Sequence, residues 1–155
     1  MIRPTLPADT PALVEIAAGT GVFKPEEVET LRDVLDDYHD GAREQGHRAV
    51  TFTTGDEVTG FAYFAPMEMT DRTWYLWWIA VRKTTQARGV GARLLRHVED
   101  EARSGGCRLL LIETSSLPHY EPTRRFYLKH GYETATVLRD FYADGDDLVV
   151  FGKRL

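Results

Sequence analysis

Residues 74–81 read Trp-Tyr-Leu-Trp-Trp-Ile-Ala-Val, an unbroken apolar run with no alternation. Successive side chains of a strand point to opposite faces, so a strand with one wet face alternates apolar and polar residues. This run is short for a helix and rich in aromatic residues, which predicts a strand covered on both faces. Such a strand demands a central sheet with further layers on each side. The 155 residues suit one domain, 1–155, and 43% hydrophobic with 28% charged residues excludes disorder and collagen-like repeats. A chain of this size buries about 70% of its unfolded surface and needs neither disulfides nor a structural metal to fold.

The remaining elements follow from periodicity and punctuation. A short strand is expected at Ile2 and Arg3, before Pro4. Leu13, Ile16 and Ala17 repeat at helical spacing over 7–18, with Asp9 or Thr10 as N-cap and Gly19 as stop. A second helix runs over 25–41, led by Pro25 and carrying Val28, Leu31, Val34, Leu35 and Tyr38 on its inner face. Residues 48–53 and 58–66 form a hairpin about Thr54, Gly55 and Asp56. After a polar connection, 82–88, comes a strongly amphipathic helix reaching Ser104. Its stripe is Val90, Leu94, Leu95, Val98 and Ala102, and its outer face is Arg93, Arg96, Glu99, Asp100 and Arg103. Gly105 and Gly106 end it, a buried strand covers 108–114, and a helix from Glu121 stops at Gly131. Strands at 132–140 and 148–155 close the chain around Asp144-Gly145-Asp146. One strand–helix–strand crossover among antiparallel pairs makes a mixed sheet, α+β in class.

Composition narrows the function. Cys107 is the single cysteine and has no internal partner, which points to a reducing, cytoplasmic setting. No apolar run approaches the roughly 18 residues of a membrane span, and the N-terminus lacks the apolar core of a secretory signal. A net charge of −5 without a basic block argues against nucleic acid and leaves cationic small molecules or basic peptides as easier partners.

The chemistry lies in Gln86-Ala87-Arg88-Gly89-Val90-Gly91, where the buried strand hands over to the long helix. A helix's first turn has amide N–H groups without internal partners and the positive end of the macrodipole. Glycines there let a ligand reach the backbone, so the segment reads as an anion site, phosphate above all. Close helix–sheet packing is the alternative reason for two glycines. A nucleoside-triphosphate loop fails, because Ala92 and Arg93 replace the required Lys-Ser/Thr. A dinucleotide fold has Glu113 at a fitting distance, but Leu94 stands at its third glycine and the first glycine comes late after Val81.

The pattern that fits resembles the GNAT superfamily of acyl-coenzyme-A-dependent N-acetyltransferases. Its signature is a buried strand, a short connection, Gln/Arg-x-x-Gly-x-Gly/Ala and a long amphipathic helix. Ile79-Ala80-Val81 followed by residues 86–91 matches at every position. A second family element, aromatic-Tyr-x-x-x-Gly-aromatic, stands at Phe126-Tyr127-Leu128-Lys129-His130-Gly131-Tyr132, at the usual separation.

The resemblance implies acetyl-coenzyme A as co-substrate and no metal. It places the pyrophosphate on the glycine loop (Gln86, Ala87, Arg88, Gly89, Val90, Gly91 and Ala92) and the pantetheine arm on the backbone of Ala80 and Val81. Two strands splaying apart would leave a slot for the thioester. Tyr127 matches the tyrosine placed to protonate the departing sulfur. The family's strand-borne carboxylate falls on Tyr75, so the general base is assigned to Glu113, with Glu68, His119 and Glu121 as lesser candidates. The expected reaction is direct attack of a small-molecule or peptide primary amine on the thioester. A non-catalytic coenzyme-A sensor and a transferase of longer acyl groups are the rival readings. A homodimer is possible, since such proteins often pair.

Other residues carry weaker readings. Thr114, Ser115 and Ser116 serve either the pantetheine or ordinary turns, and Arg124 and Arg125 are candidates for a coenzyme phosphate. Phe126 and Leu128 read as packing residues, and Cys107 as buried rather than nucleophilic. His39, His47, His97 and His130 read as surface residues. Asp33, Asp36, Asp37 and Asp40 crowd one helix at a spacing that costs about 0.2–0.5 kcal/mol per like-charge pair. They form either a solvated face or a lure for a cationic amine.

Overall fold

The computed structural model describes the backbone of all 155 residues and the side chains of all but Gln86 and Ala87. Among the described residues one sheet is formed by β1 (Ile2–Pro4), β2 (Arg48–Thr54), β3 (Glu57–Pro66), β4 (Thr73–Val81), β5 (Leu109–Ser115), β6 (Glu133–Ala143) and β7 (Asp146–Arg154). The spatial order is β1-β2-β3-β4-β5-β7-β6. Neighbours run antiparallel except β4 and β5, which are parallel because a helical crossover joins them. The helices are α1 (Thr10–Gly19), α2 (Pro25–His39), α3 (Val90–Ser104) and α4 (Glu121–Lys129). The expected α+β class, mixed sheet and single crossover are all present.

The sheet has an apolar core on each face. On one, the α3 stripe Val90, Leu94, Leu95, Val98 and Ala102 is fully buried against Phe64, Trp74, Leu76 and Phe151, with Tyr127 and Tyr132 beside them. On the other, Leu13, Ile16, Leu31 and Leu35 of α1 and α2 pack on Phe61, Tyr63 and Ala80. Gly60 of β3 lets α3 lie close, since a Cβ there would stand 3.0 Å from Leu94 Cδ1 and 3.2 Å from the Ala80 carbonyl oxygen.

β4 is covered on both faces as predicted, with one departure that matters. Tyr63 pairs with Trp78 but Phe64 pairs with Leu76, so Trp77 is an extra residue, a β-bulge. The bulge reverses which parity faces which core. Trp74 and Leu76 enter the α3 core before it, whereas Trp78 and Ala80 enter the α1/α2 core after it. Trp77 itself is 44% exposed and stacks on Tyr75 with ring centroids 4.5 Å apart.

Three further expectations are corrected. Residues Pro7–Asp9 form a 3-10 turn ahead of α1, and the Asp9 carboxylate is not a helix cap: it takes two hydrogen bonds from Arg3 (2.7 and 2.9 Å) and one from the Leu6 N–H. Glu99 is 7% exposed rather than on the outer face, because Tyr132 and Lys153 both donate to its carboxylate. Leu128 is 53% exposed, because α4 turns Tyr127 inward instead. Among the described residues no helix is long and apolar enough to cross a membrane.

Candidate active site

β4 and β5 share only three rungs, Thr73–Leu109, Trp74–Leu110 and Tyr75–Leu111. Beyond them β4 stays with β3 through the bulge at Trp77, while β5 follows β7 as far as Ser115–Leu148. A bulge bends and twists its strand, which here opens a fork in the sheet. A cleft of about 1010 Å³ fills the fork and is walled by α2, the start of α3, α4 and the β6–β7 hairpin. The splayed strands expected from the sequence are therefore present, and Ala80 and Val81 line one arm.

The start of α3 forms the second wall. Gly89 caps the helix at φ +75°, a left-handed conformation that glycine adopts without strain, and its carbonyl accepts the Arg93 N–H as the first helical bond. A Cβ on Gly89 would meet nothing within 4 Å, and one on Gly91 would make ordinary contacts at 3.6–3.7 Å with Phe126 and Val81. Close packing therefore does not explain these glycines. Gly89, Gly91 and Ala92 line the cleft, whereas the Val90 side chain turns into the core. First-turn amides beside open space suit an anion, and the fork beside them suits an extended arm. The residues present fit coenzyme A. Arg88 is exposed; the side chains of Gln86 and Ala87 lie outside the described residues.

Tyr127 and Glu113 both reach this cleft. Tyr127 is 3% exposed and packs against Phe126, Tyr132 and Phe151, and burial raises its phenol well above the ordinary value. It keeps its proton at neutral pH and can donate it. Glu113 is accessible through the cleft, yet the surrounding protein raises its carboxyl above the usual carboxylate value, an effect the nearby Tyr75 hydroxyl opposes. That combination suits a proton acceptor, since a carboxylate with a raised value is a stronger base than an ordinary one.

Several sequence-level candidates have other employment. Thr114 donates to the Val149 carbonyl, Ser115 to Asp146, and Ser116 accepts the Asp147 N–H, so all three hold β5 to β7. Arg124 donates through one nitrogen to the carbonyls of Ser115 and Leu117, Arg125 pairs with Glu121, and neither residue lines the cleft. Burial raises the Cys107 thiol, in keeping with an inert role. Glu68 and Glu121 lie outside the cleft lining, whereas His119 is in it. The aspartate cluster divides: Asp37 faces the cleft, while Asp36 and Asp40 border a separate surface depression with Arg32 and His39.

Sequence reasoning missed part of the lining. None of the four histidines read as surface residues is fully exposed, and His47 Nδ1 stands 2.6 Å from the Tyr63 hydroxyl inside the cleft. Burial pushes the Tyr63 phenol up to about 12. Tyr120, Tyr142, Glu27 and Asp146 also line the cleft. No periodicity marks them, because they come from four separate segments.

The acetyltransferase (GNAT) family model matches residues 12–132. The chain belongs to this family. The GNAT frame extends to solved structures. A Desulfovibrio desulfuricans protein assigned to the GNAT acetyltransferases is 35% identical, with a TM-score of 0.95 over 99% of this chain and 98% of its own. An aminoglycoside 6'-N-acetyltransferase in complex with coenzyme A shares the fold at a TM-score of 0.83 and 21% identity, over 99% of this chain and 96% of its own. The uncharacterized N-acetyltransferase YsnE of Bacillus subtilis is 29% identical over 66 residues, which span 43% of this chain and 44% of that relative. Within the GNAT frame, the fork between β4 and β5 and the glycine-led α3 stand side by side.

Proposed function

We propose that this protein, as a single domain, is an acetyl-coenzyme-A-dependent N-acetyltransferase that acts on a primary amine of a small molecule or peptide. The observation that carries the reading is the opening of the sheet fork directly beside the uncovered first turn of α3. The family match and the coenzyme A complex of a structural neighbour add support.

When bound, acetyl-coenzyme A supplies an acetyl thioester that an amine can attack directly, without a covalent enzyme intermediate. The amides around Gly89, Val90, Gly91 and Ala92 hold its pyrophosphate by hydrogen bonding and the helix dipole. Backbone groups of β4 near Ala80 and Val81 orient the arm. An alkylammonium has no free electron pair, so its proton must leave first, and Glu113 accepts that proton on its carboxylate. As the C–N bond forms and the C–S bond breaks, Tyr127 donates its phenolic proton to the departing sulfur, and the second proton that the nitrogen sheds passes through the cleft to restore the phenol.

Calorimetry with coenzyme A, followed by thiol release from acetyl-coenzyme A across an amine panel, tests this. Binding of coenzyme A and amine-dependent thiol release are expected. Absence of binding overturns the reading altogether, and binding without thiol release from any amine reduces it to a sensor.

A further inference from the structure

The acceptor side of the cleft is acidic and aromatic in an organised way. Glu27 of α2, Asp37 of α2, Glu113 of β5 and Asp146 of β7 all line it, and none has an ion-pair partner among the described residues. Elsewhere acidic side chains such as Asp9, Glu99 and Glu101 are paired. Asp146 is the least exposed of the four at 4%, and Ser115, which donates to its Oδ1, fixes it on the cleft wall. A cation that enters the cleft therefore meets carboxylates that no ion pair among the described residues has already neutralised.

Two phenol rings complete the arrangement. Tyr120 and Tyr142 line the same cleft as Glu27, Glu113 and Asp146, and the charges of Glu27 and Asp146 act on both phenols. The Tyr142 ring can hold an ammonium, for the protein's own Lys24 Nζ lies 5.9 Å from its centroid at the cleft wall. Glu27 stands at the same end, since its Oε1 accepts the Lys24 backbone N–H and Oε2 is left over. Aromatic faces and unpaired carboxylates together select ammonium or guanidinium groups over neutral or anionic ones.

We propose that Glu27, Asp146, Tyr120 and Tyr142 form a subsite for a second positive charge, so that the preferred acceptor is a dication whose other amine reacts beside Glu113. The inference rests on the transferase reading for the identity of the reacting amine, but the cation subsite itself is a matter of binding. A diamine places one ammonium at the reactive fork and leaves the other among these four side chains. A monoamine of equal length leaves the carboxylates bare, and an amino acid brings a like charge against them.

The test is calorimetric titration of the coenzyme-A-saturated protein with three matched ligands: an alkylamine, the α,ω-diamine and the ω-amino acid of the same chain length. The diamine is expected to bind about tenfold more tightly than the alkylamine, equivalent to ~1.4 kcal/mol, with the amino acid weakest and the advantage shrinking as salt rises. Glu27→Gln and Asp146→Asn should bring the diamine down toward the alkylamine. Glu27→Gln, a change at a half-buried helix position, keeps the test open if Asp146→Asn fails to fold. Equal affinities for diamine and alkylamine, or an equal loss for both in Glu27→Gln, overturn the subsite. Because binding is read without turnover, a diamine preference can stand even if thiol release fails, and the two readings fail separately.

Discussion

The Tyr132 hydroxyl donates to Glu99 Oε2 at 2.8 Å, and Lys153 Nζ donates to the same oxygen at 2.9 Å. This contact joins the helix that starts at the glycine loop to the last residue of the Phe126–Tyr132 motif, with β7 as third partner. Tyr132 also packs on Tyr127, ring centroids 5.8 Å apart, so the network holds α3 and the tyrosine of α4 in one frame. Glu99→Ala should destabilise the protein by about 3 kcal/mol, because it strands the buried Tyr132 phenol and leaves the Lys153 ammonium only the His130 carbonyl. Tyr132→Phe should cost roughly 1–2 kcal/mol, since Lys153 still meets the carboxylate. Urea denaturation of both variants checks the order.

Glu113→Gln separates activity from stability. The folded carboxyl titrates above its unfolded value, so between those two values the folded state holds more protons, and stability falls as pH rises through that window. Removing the charge should leave the melting temperature unchanged or slightly higher at neutral pH. Turnover should fall about 100-fold or more, and the acid limb of the rate profile should disappear. Thermal melts and a pH–rate series read the two effects.

Tyr127→Phe removes one hydroxyl from a packed ring. The expected result is a drop in kcat of about 100-fold with coenzyme A affinity retained, because the ring's contacts with Phe126 and Phe151 survive. Unchanged turnover would remove its role as acid.

Gly91→Ala should move folding and binding in opposite directions. The new Cβ meets only ordinary contacts at 3.6–3.7 Å, and alanine favours a helix over glycine, so stability should hold or rise by about 0.5 kcal/mol. The same Cβ projects where the anion must approach, and coenzyme A affinity should fall about tenfold, or ~1.4 kcal/mol. Calorimetry with paired melts distinguishes this from a packing role.

Asp9 ties β1 to the start of α1, and its bonds with Arg3 hold its carboxyl below the usual value. A lowered folded value means stability that is present above the unfolded value and lost as pH falls through the folded one. Asp9→Asn should cost about 1.5 kcal/mol at neutral pH, after allowance for the partly exposed Arg3, and progressively less as pH falls below the ordinary carboxylate range. Denaturation of both proteins across an acid pH series reads the convergence.

Most of the architecture was legible in residue order. The buried run at 74–81, the stripe Val90–Leu94–Leu95–Val98–Ala102 and the turn about Gly145 each announce their element locally, through periodicity or a turn residue. The glycine loop and Tyr127 were legible through a motif, and the structure adds that Gly91 is not a packing requirement. Glu99 was misread because a charged residue near the edge of an amphipathic stripe looks solvated until its partners, Tyr132 and Lys153, are known.

Element type, strand–helix order and the anion-binding turn belong to the chain's own local patterns, which short-range sterics and side-chain period impose wherever the segment ends up. The fork and its acidic, aromatic wall do not. They depend on one extra residue, Trp77, bending β4 away from β5, and on a hairpin and a helix that bring Asp146, Tyr142, Tyr120 and Glu27 together from distant segments. Convergence of that kind arises from packing between elements, and no local spacing encodes it.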